Sequence, residues 1–129
     1  MNGNRVKAFW KEGKPVTQAW IRTAHPEVCA IMATLGYDAV VVDWQHGIGA
    51  NEKSVVDCIR AINSVPGVAA FVRLPKADSY YISHVLDAGA SGVIVPMVNN
   101  RAEAEQAVAA CRYPPQGNRS FGPIRGALY

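Results

Sequence analysis

The segment from Val40 to Gly47, VVVDWQHG, constrains the fold of this 129-residue chain more than any other. The three consecutive valines predict a strand that is buried on both faces, as the strands of parallel sheets are. That strand delivers Asp43 and His46 at its carboxyl end, where functional side chains collect in α/β proteins. The segment therefore predicts an α/β fold with a candidate site at one edge of its sheet.

Strand and helix patterns alternate along the rest of the chain. Strands are predicted over residues 17–21, 38–43, 68–72 and 92–95. Apolar residues at helical spacing predict the intervening helices, with these buried positions: Val28, Ile31, Met32 and Leu35; Val55, Ile59 and Ile62; Tyr81, Ile82, Val85 and Leu86; Ala104, Ala107, Val108 and Cys111. A shorter helix is predicted from Val6, Phe9 and Trp10. Asp78 and Asn100 are candidate helix caps.

Continuous apolar strands joined by amphipathic helices predict one parallel sheet with right-handed crossovers. No linker interrupts the pattern, so we expect a single domain over residues 1–129. A closed (β/α)₈ barrel takes eight such units and about 250 residues. This chain carries about four units, and residues 113–129 show no obvious strand.

Composition excludes several classes of protein. The net charge is +3 and the basic residues do not cluster, so we expect no nucleic-acid partner. No apolar run approaches the roughly 20 residues of a membrane helix, so we expect no membrane partner. Three separated cysteines, without a CxxC pair or a leader-like segment, favour a cytoplasmic protein.

A second predicted strand ends in Arg73, so a base, an acid and a fixed cation should share one edge of the sheet. Two plainer interpretations stay open. His46 can be a structural histidine, and Arg73 can simply pair with Asp43 across adjacent strands. Gly47 and Gly49 give only a weak signal for a phosphate-binding turn.

Four motifs in order, DWQHG, FVRLP, LDAGASGVIVPMV and RYPPQGNRSFG, resemble the class II pyruvate aldolases of the HpcH/HpaI aldolase/citrate lyase superfamily. The resemblance runs from about Trp20 to the last residue. It implies a metal-dependent (β/α)₈ barrel, of which this chain is the N-terminal half. It also implies reversible cleavage of 4-hydroxy-2-oxo acids, or 2-keto-3-deoxy sugar acids, to pyruvate and an aldehyde.

The resemblance assigns catalytic roles to four residues. His46 corresponds to the base that acts on the substrate hydroxyl, and Asp43 to the carboxylate that orients it and fixes its tautomer. Arg73 corresponds to the arginine that holds the pyruvyl group and stabilises the enolate. Asp87 corresponds to an acid that a neighbouring subunit contributes, which implies a homo-oligomer; a turn-capping role is the alternative.

Substrate-binding roles fall to Arg73, Trp20 and Gln45. Trp20 matches an aromatic residue near the rim of the first strand, with core packing as the alternative. Gln45 stands where many members carry Glu, and the QHG pattern belongs to one branch.

The family's divalent metal is Mg²⁺ or Mn²⁺, in some members Co²⁺, and it is held by a Glu and an Asp on later strands. Neither ligand has a matching position here, so we predict no metal ligand in this chain. Because such a cation contributes several kcal/mol to stabilising the enolate, we expect the isolated chain to be inactive or nearly so.

Two other functions are open from the residues. One is a non-catalytic truncated product, or an association module that acts through an exposed edge strand. The other is an open flavodoxin-like binding domain. A receiver of that class has a fifth strand and acidic residues after the first strand, and residues 19–22 include none.

Overall fold

The computed structural model describes residues 4–122. Helices and strands alternate along this part of the chain, with the following bounds: α1 Arg5–Lys11, β1 Gln18–Ile21, α2 Pro26–Ala33, β2 Ala39–Asp43, α3 Glu52–Asn63, β3 Ala69–Arg73, α4 Ser79–Asp87, β4 Gly92–Ile94 and α5 Arg101–Ala110. The four predicted strands are confirmed to within one residue at each end.

All the strand pairs are parallel, and the sheet order follows the chain, β1-β2-β3-β4. Asp43, the last residue of β2, lies opposite Arg73, the last residue of β3. Side chains alternate between the two faces of a strand. The last residues of β2 and β3 therefore point to the same face and meet at the same edge.

The face of the sheet that carries Val40 and Val42, which we call the outer face, packs against helices α2 to α5. The opposite face, which carries Val41, is called the inner face. Val40, Val42 and Val72 lie in the core on the outer face with the apolar face of α3, and all are fully buried. The predicted core positions of α3, Val55 and Ile59 among them, are confirmed. Every residue of β2 is buried, as the run of valines predicts.

The inner face of the sheet carries a smaller core at its amino end. Val6 of α1 packs there against Val41 and Phe71 and is fully buried, so α1 covers this end of the sheet. Gly92 of β4 is required for packing, because a Cβ there would lie 2.4 Å from the Phe71 ring. The inner face is thus closed at its amino end by apolar contacts.

Asparagine and aspartate side chains cap the helices. Asp78 accepts from the amide of Tyr80, and Asn100 accepts from the amide of Glu103, as predicted. Asn51 forms a capping box with Ser54 at the start of α3, which sequence reasoning missed. These caps satisfy amides that the first turn of a helix otherwise leaves unpaired.

The predicted buried faces of α2 and α5 are wrong in part. Ile31 is 60 % exposed and Leu35 61 % exposed, and Val28 and Val108 are also exposed. The buried residues of α2 are Cys29 and Ala33 instead. The reason is positional: α2 and α5 flank the two edge strands, so among the described elements α2 has only α3 as a helical neighbour and α5 has only α4.

Within residues 4–122, the structure contains no helix that is long and apolar enough to cross a membrane. All three cysteines are free thiols; Cys29 and Cys58 are buried and Cys111 is half-buried.

Candidate active site

Asp43 is the centre of the site. Its carboxylate accepts three hydrogen bonds: from the indole Nε1 of Trp20 at 3.1 Å, from Nη1 of Arg73 at 3.2 Å and from the backbone amide of His46 at 2.9 Å. The side chain is only 1 % exposed. A buried charge is stable when it is paired and hydrogen-bonded in this way.

Two opposing effects set the pKa of Asp43. Burial raises it, while the hydrogen bonds from the His46 amide and the Trp20 indole and the charge of Arg73 lower it. The lowering effects together are larger, so the pKa of Asp43 lies below its usual range. The carboxylate is therefore ionised at neutral pH, and it keeps the arginine in place.

Arg73 is held on three sides. Nη1 donates to Asp43, Nη2 donates to the side-chain oxygen of Gln45, and the guanidinium carbon lies 5.8 Å from the centre of the Trp20 ring. An arginine has five N–H donors, and only two of them are used in these contacts. Because the side chain is 26 % exposed, the remaining donors can bind the carboxylate or enolate oxygen of a ligand.

A tight turn brings His46 back over the end of β2. Gly47 is essential to this turn, because a Cβ at that position would lie 2.0 Å from the carbonyl oxygen of Asp43. The following residue, Ile48, donates its amide to the carbonyl of Arg22 at 2.7 Å. The turn after β2 is thus joined to the segment after β1, and the His46 side chain is left exposed.

The structure brings together five of the six residues expected from the sequence: Trp20, Asp43, Gln45, His46 and Arg73. We call this group the carboxyl rim. The ion pair between Asp43 and Arg73, one of the two plainer interpretations, is present. It leaves guanidinium donors free, so pairing and ligand binding are compatible.

One expected contact differs. Asp43 was expected to orient the imidazole of His46, but it accepts from the backbone amide of that residue instead. The turn at Gly47 directs the amide inward, whereas the exposed ring makes no hydrogen bond to the described residues. Asp43 therefore fixes the position of the turn and does not select the tautomer of the ring.

Asp87 lies away from the carboxyl rim. It is the last residue of α4, and this helix begins near the rim and runs about 13 Å toward the amino ends of the strands. Its carboxylate pairs there with Arg119, which also stacks on Tyr113. Asp87 therefore makes an ion pair and not the turn cap that was the alternative.

The described residues do not form a metal site by themselves. Residues 4–122 contain no cluster of three potential ligands from His, Cys, Asp or Glu. The one buried carboxylate of the rim, Asp43, already accepts from three donors. A divalent cation at this rim would need carboxylates that residues 4–122 do not bring there.

Sequence reasoning missed Arg22. This exposed cation directly follows β1, and its Nη2 lies 3.5 Å from the carbonyl oxygen of His46. The sequence does carry a signal for Arg22, because it lies at the carboxyl end of a strand as Arg73 does.

The geometry and the comparisons agree on the class of protein. The family model described as HpcH/HpaI aldolase/citrate lyase matches residues 17–125. The chain belongs to this family, as the four sequence motifs predict.

Named relatives have aldolase activities. The chain is 43% identical over 128 residues to a hydroxypyruvate/pyruvate aldolase from Rhizorhabdus wittichii, a match that covers 97% of this chain and 49% of the relative. It is 39% identical over 126 residues to a 4-hydroxy-2-oxovalerate aldolase from Novosphingobium aromaticivorans, covering 98% of this chain and 48% of that one. The chain thus spans about half the length of the curated relatives it matches.

The fold agrees as well. An HpcH/HpaI aldolase/citrate lyase family protein from Burkholderia cenocepacia superimposes with a TM-score of 0.89 at 25% identity, over 97% of this chain and 51% of that structure. The structural relatives are (β/α)₈ barrels, so the prediction of an α/β fold that forms half of such a barrel is confirmed.

Proposed function

We propose that the carboxyl rim is the pyruvyl-binding part of an aldolase that reversibly cleaves 4-hydroxy-2-oxo acids, or 2-keto-3-deoxy sugar acids, to pyruvate and an aldehyde. The observation that carries the proposal is the fixed guanidinium of Arg73, held by Asp43, Gln45 and Trp20 with donors to spare. The names of the relatives support the same reaction class.

The rim residues divide the chemistry among them. His46 removes the proton from the C4 hydroxyl, the C3–C4 bond breaks, and the bonding electrons move onto the pyruvyl half as an enolate. Protonation of that enolate at C3 gives pyruvate, and C4 leaves as the aldehyde. Arg73 binds the carboxylate and the developing enolate oxygen, where a preorganised cation lowers the barrier most.

The whole protein needs more than this rim. The family resemblance implies a divalent cation, Mg²⁺ or Mn²⁺ and in some members Co²⁺, that supplies charge stabilisation to the enolate. The described residues do not hold one alone, so we propose that this chain by itself turns over substrate negligibly. We also propose that the whole protein is a cytoplasmic homo-oligomer in which Asp87 of one subunit approaches the site of another.

Neither a flavodoxin-like binding domain nor an association module is favoured as the function of this chain. The family match over residues 17–125 makes an unrelated flavodoxin-like domain untenable. A surface that only associates with another chain does not require a buried carboxylate with three donors. Burying such a charge costs free energy, so the presence of Asp43 at the carboxyl ends of the strands favours a ligand-binding role.

The proposal is tested by titrating pyruvate into the 129-residue chain and recording amide and indole signals by NMR. The indole of Trp20 donates to Asp43 beside Arg73, so we expect its signal to shift saturably, together with the amides of the 43–47 turn. The signal of Trp10, an exposed residue of α1, should not move.

The control is Arg73→Lys. Lysine keeps the charge but loses the planar fork, so we expect pyruvate affinity to fall by about tenfold, the equivalent of one charge-assisted hydrogen bond. Equal affinity in the two proteins, or shifts centred on Trp10, would refute the proposal.

A further inference from the structure

Arg22 lies next to the carboxyl rim, beside the turn that carries His46. It directly follows β1, and its backbone carbonyl accepts from the amide of Ile48 at 2.7 Å. A parallel bridge between Thr23 and Ile48 joins the same two segments. The backbone that carries Arg22 is therefore fixed beside the turn that carries His46.

The side chain of Arg22 is free for a ligand. It is exposed, and it makes no ion pair with any residue between 4 and 122. Its one side-chain hydrogen bond to residues 4–122, from Nη2 to the carbonyl oxygen of His46 at 3.5 Å, is at the limit of a hydrogen bond and uses one of five donors. This contact leaves the other four N–H donors of the guanidinium available to a ligand.

A chain of contacts relates the two arginines of the site. Arg22 lies against the backbone of His46, His46 is bonded to Asp43, and Asp43 is bonded to Arg73. With the C1 carboxylate at Arg73 and the C4 hydroxyl at His46, as the proposed function has them, the group attached to C4 lies on the side of His46, the residue whose backbone Arg22 contacts.

We propose that Arg22 binds a second carboxylate, carried on the aldehyde half of the substrate, so that the site prefers 4-hydroxy-2-oxo dicarboxylates over monocarboxylates. This inference rests on the proposed function, because it takes the pyruvyl half to lie on Arg73. An exposed arginine adds selectivity at low cost, since it needs no buried partner when the ligand is absent.

The test compares ligands that share the 4-hydroxy-2-oxo acid head. 4-Hydroxy-2-oxovalerate ends in a methyl group, 4-hydroxy-2-oxoglutarate has a carboxylate in its place, and 4-hydroxy-2-oxoheptanedioate carries that carboxylate two carbons further on. Each is titrated into the 129-residue chain at low ionic strength. We expect the better dicarboxylate to bind about fivefold more tightly than the monocarboxylate, the upper end for an exposed ion pair.

Substitutions assign that preference to a residue. Arg22→Gln should bring the affinity ratio to about one, and Arg22→Lys should retain part of it because the charge remains. Arg112→Gln is the matched control: it removes the same charge from an exposed arginine just after α5, and the fivefold ratio should persist. The ratio should also shrink in 0.5 M salt, since exposed charges are screened.

The outcomes separate the two proposals. If all three ligands bind with the same affinity, and Arg73→Lys weakens them all, the pyruvyl site stands and the role of Arg22 is wrong. If a dicarboxylate preference survives in Arg22→Gln, another residue provides it and this inference is again wrong. If no ligand binds, the proposed function fails and the inference fails with it.

Discussion

Replacing Asp43 with asparagine should destabilise the chain more than any other isosteric change at the carboxyl rim. One carboxylate oxygen accepts from Trp20 and Arg73 and the other accepts from the amide of His46. Asparagine has a single acceptor oxygen, so its NH₂ group must face a donor on one side or the other. At least one charge-assisted hydrogen bond is lost and one donor is left facing another.

The magnitude follows from those contacts. A hydrogen bond to a charged group contributes about 1.5–3 kcal/mol, and a buried unpaired group costs about 1–3 kcal/mol. Because the Arg73 side chain is 26 % exposed, water partly replaces its lost hydrogen bond. We therefore expect the free energy of unfolding to fall by about 3 kcal/mol. For a domain of this size, that corresponds to a fall in Tm of about 10 °C.

The effect should depend on pH in a defined direction. Since the folded-state pKa of Asp43 is lowered, its ionised form stabilises the fold above the unfolded-state pKa of about 3.9. That stabilisation is lost as pH falls through the folded-state pKa. The gap in Tm between the two proteins should therefore be full at pH 7 and should narrow below about pH 4.

The assay is thermal unfolding followed by circular dichroism between pH 3 and pH 7. Asp57→Asn is the control, because Asp57 pairs with Lys53 and Arg60 on the surface of α3, where a fall in Tm of no more than about 2 °C is expected. A gap for Asp43→Asn below 3 °C at pH 7, or one that is constant down to pH 3, would refute the reasoning.

Three further predictions follow from the packing and the family assignment. Gly47→Ala should lower the free energy of unfolding in denaturant by about 3 kcal/mol, because the added Cβ would meet the carbonyl oxygen of Asp43. Gly13→Ala is the control: its φ is +69° but the space around its Cβ is open, so the loss should be only about 1 kcal/mol. Equal losses would contradict this. Ile31→Ser should change stability by less than about 0.5 kcal/mol, whereas Ile59→Ala should cost about 2–5 kcal/mol. Pyruvate release from 4-hydroxy-2-oxovalerate with added Mg²⁺ or Mn²⁺ should be negligible for this chain, and turnover comparable to a complete barrel would disprove the need for further residues.

The sequence predicts the strands well because their signal is local. Three valines in a row, and the apolar runs before Arg73 and after Gly92, indicate buried parallel strands without any knowledge of the tertiary contacts. The helical faces of α2 and α5 were less predictable. Ile31 has the spacing of a core residue, but burial depends on a neighbouring helix, and α2 has only α3 beside it among the described elements.

The carboxyl rim was predictable as a set of residues but not as a set of contacts. Strand ends identify Asp43 and Arg73, and the register confirms that they are neighbours. That Asp43 bonds the amide of His46, and not its ring, depends on a turn whose path is set by Gly47. Such a close approach leaves no pattern in composition or periodicity. The predicted role of Asp87 likewise depends on a second subunit.

The central claim is that Arg73 and His46 form one surface that holds a pyruvyl group. A crystal structure of the 129-residue chain with oxalate, a planar analogue of the pyruvate enolate, measures this most directly. We expect a carboxylate of oxalate at about 2.7–3.2 Å from the guanidinium nitrogens of Arg73, with His46 beside the ligand. Oxalate bound at Arg119 instead, with the carboxyl rim unchanged, would contradict it.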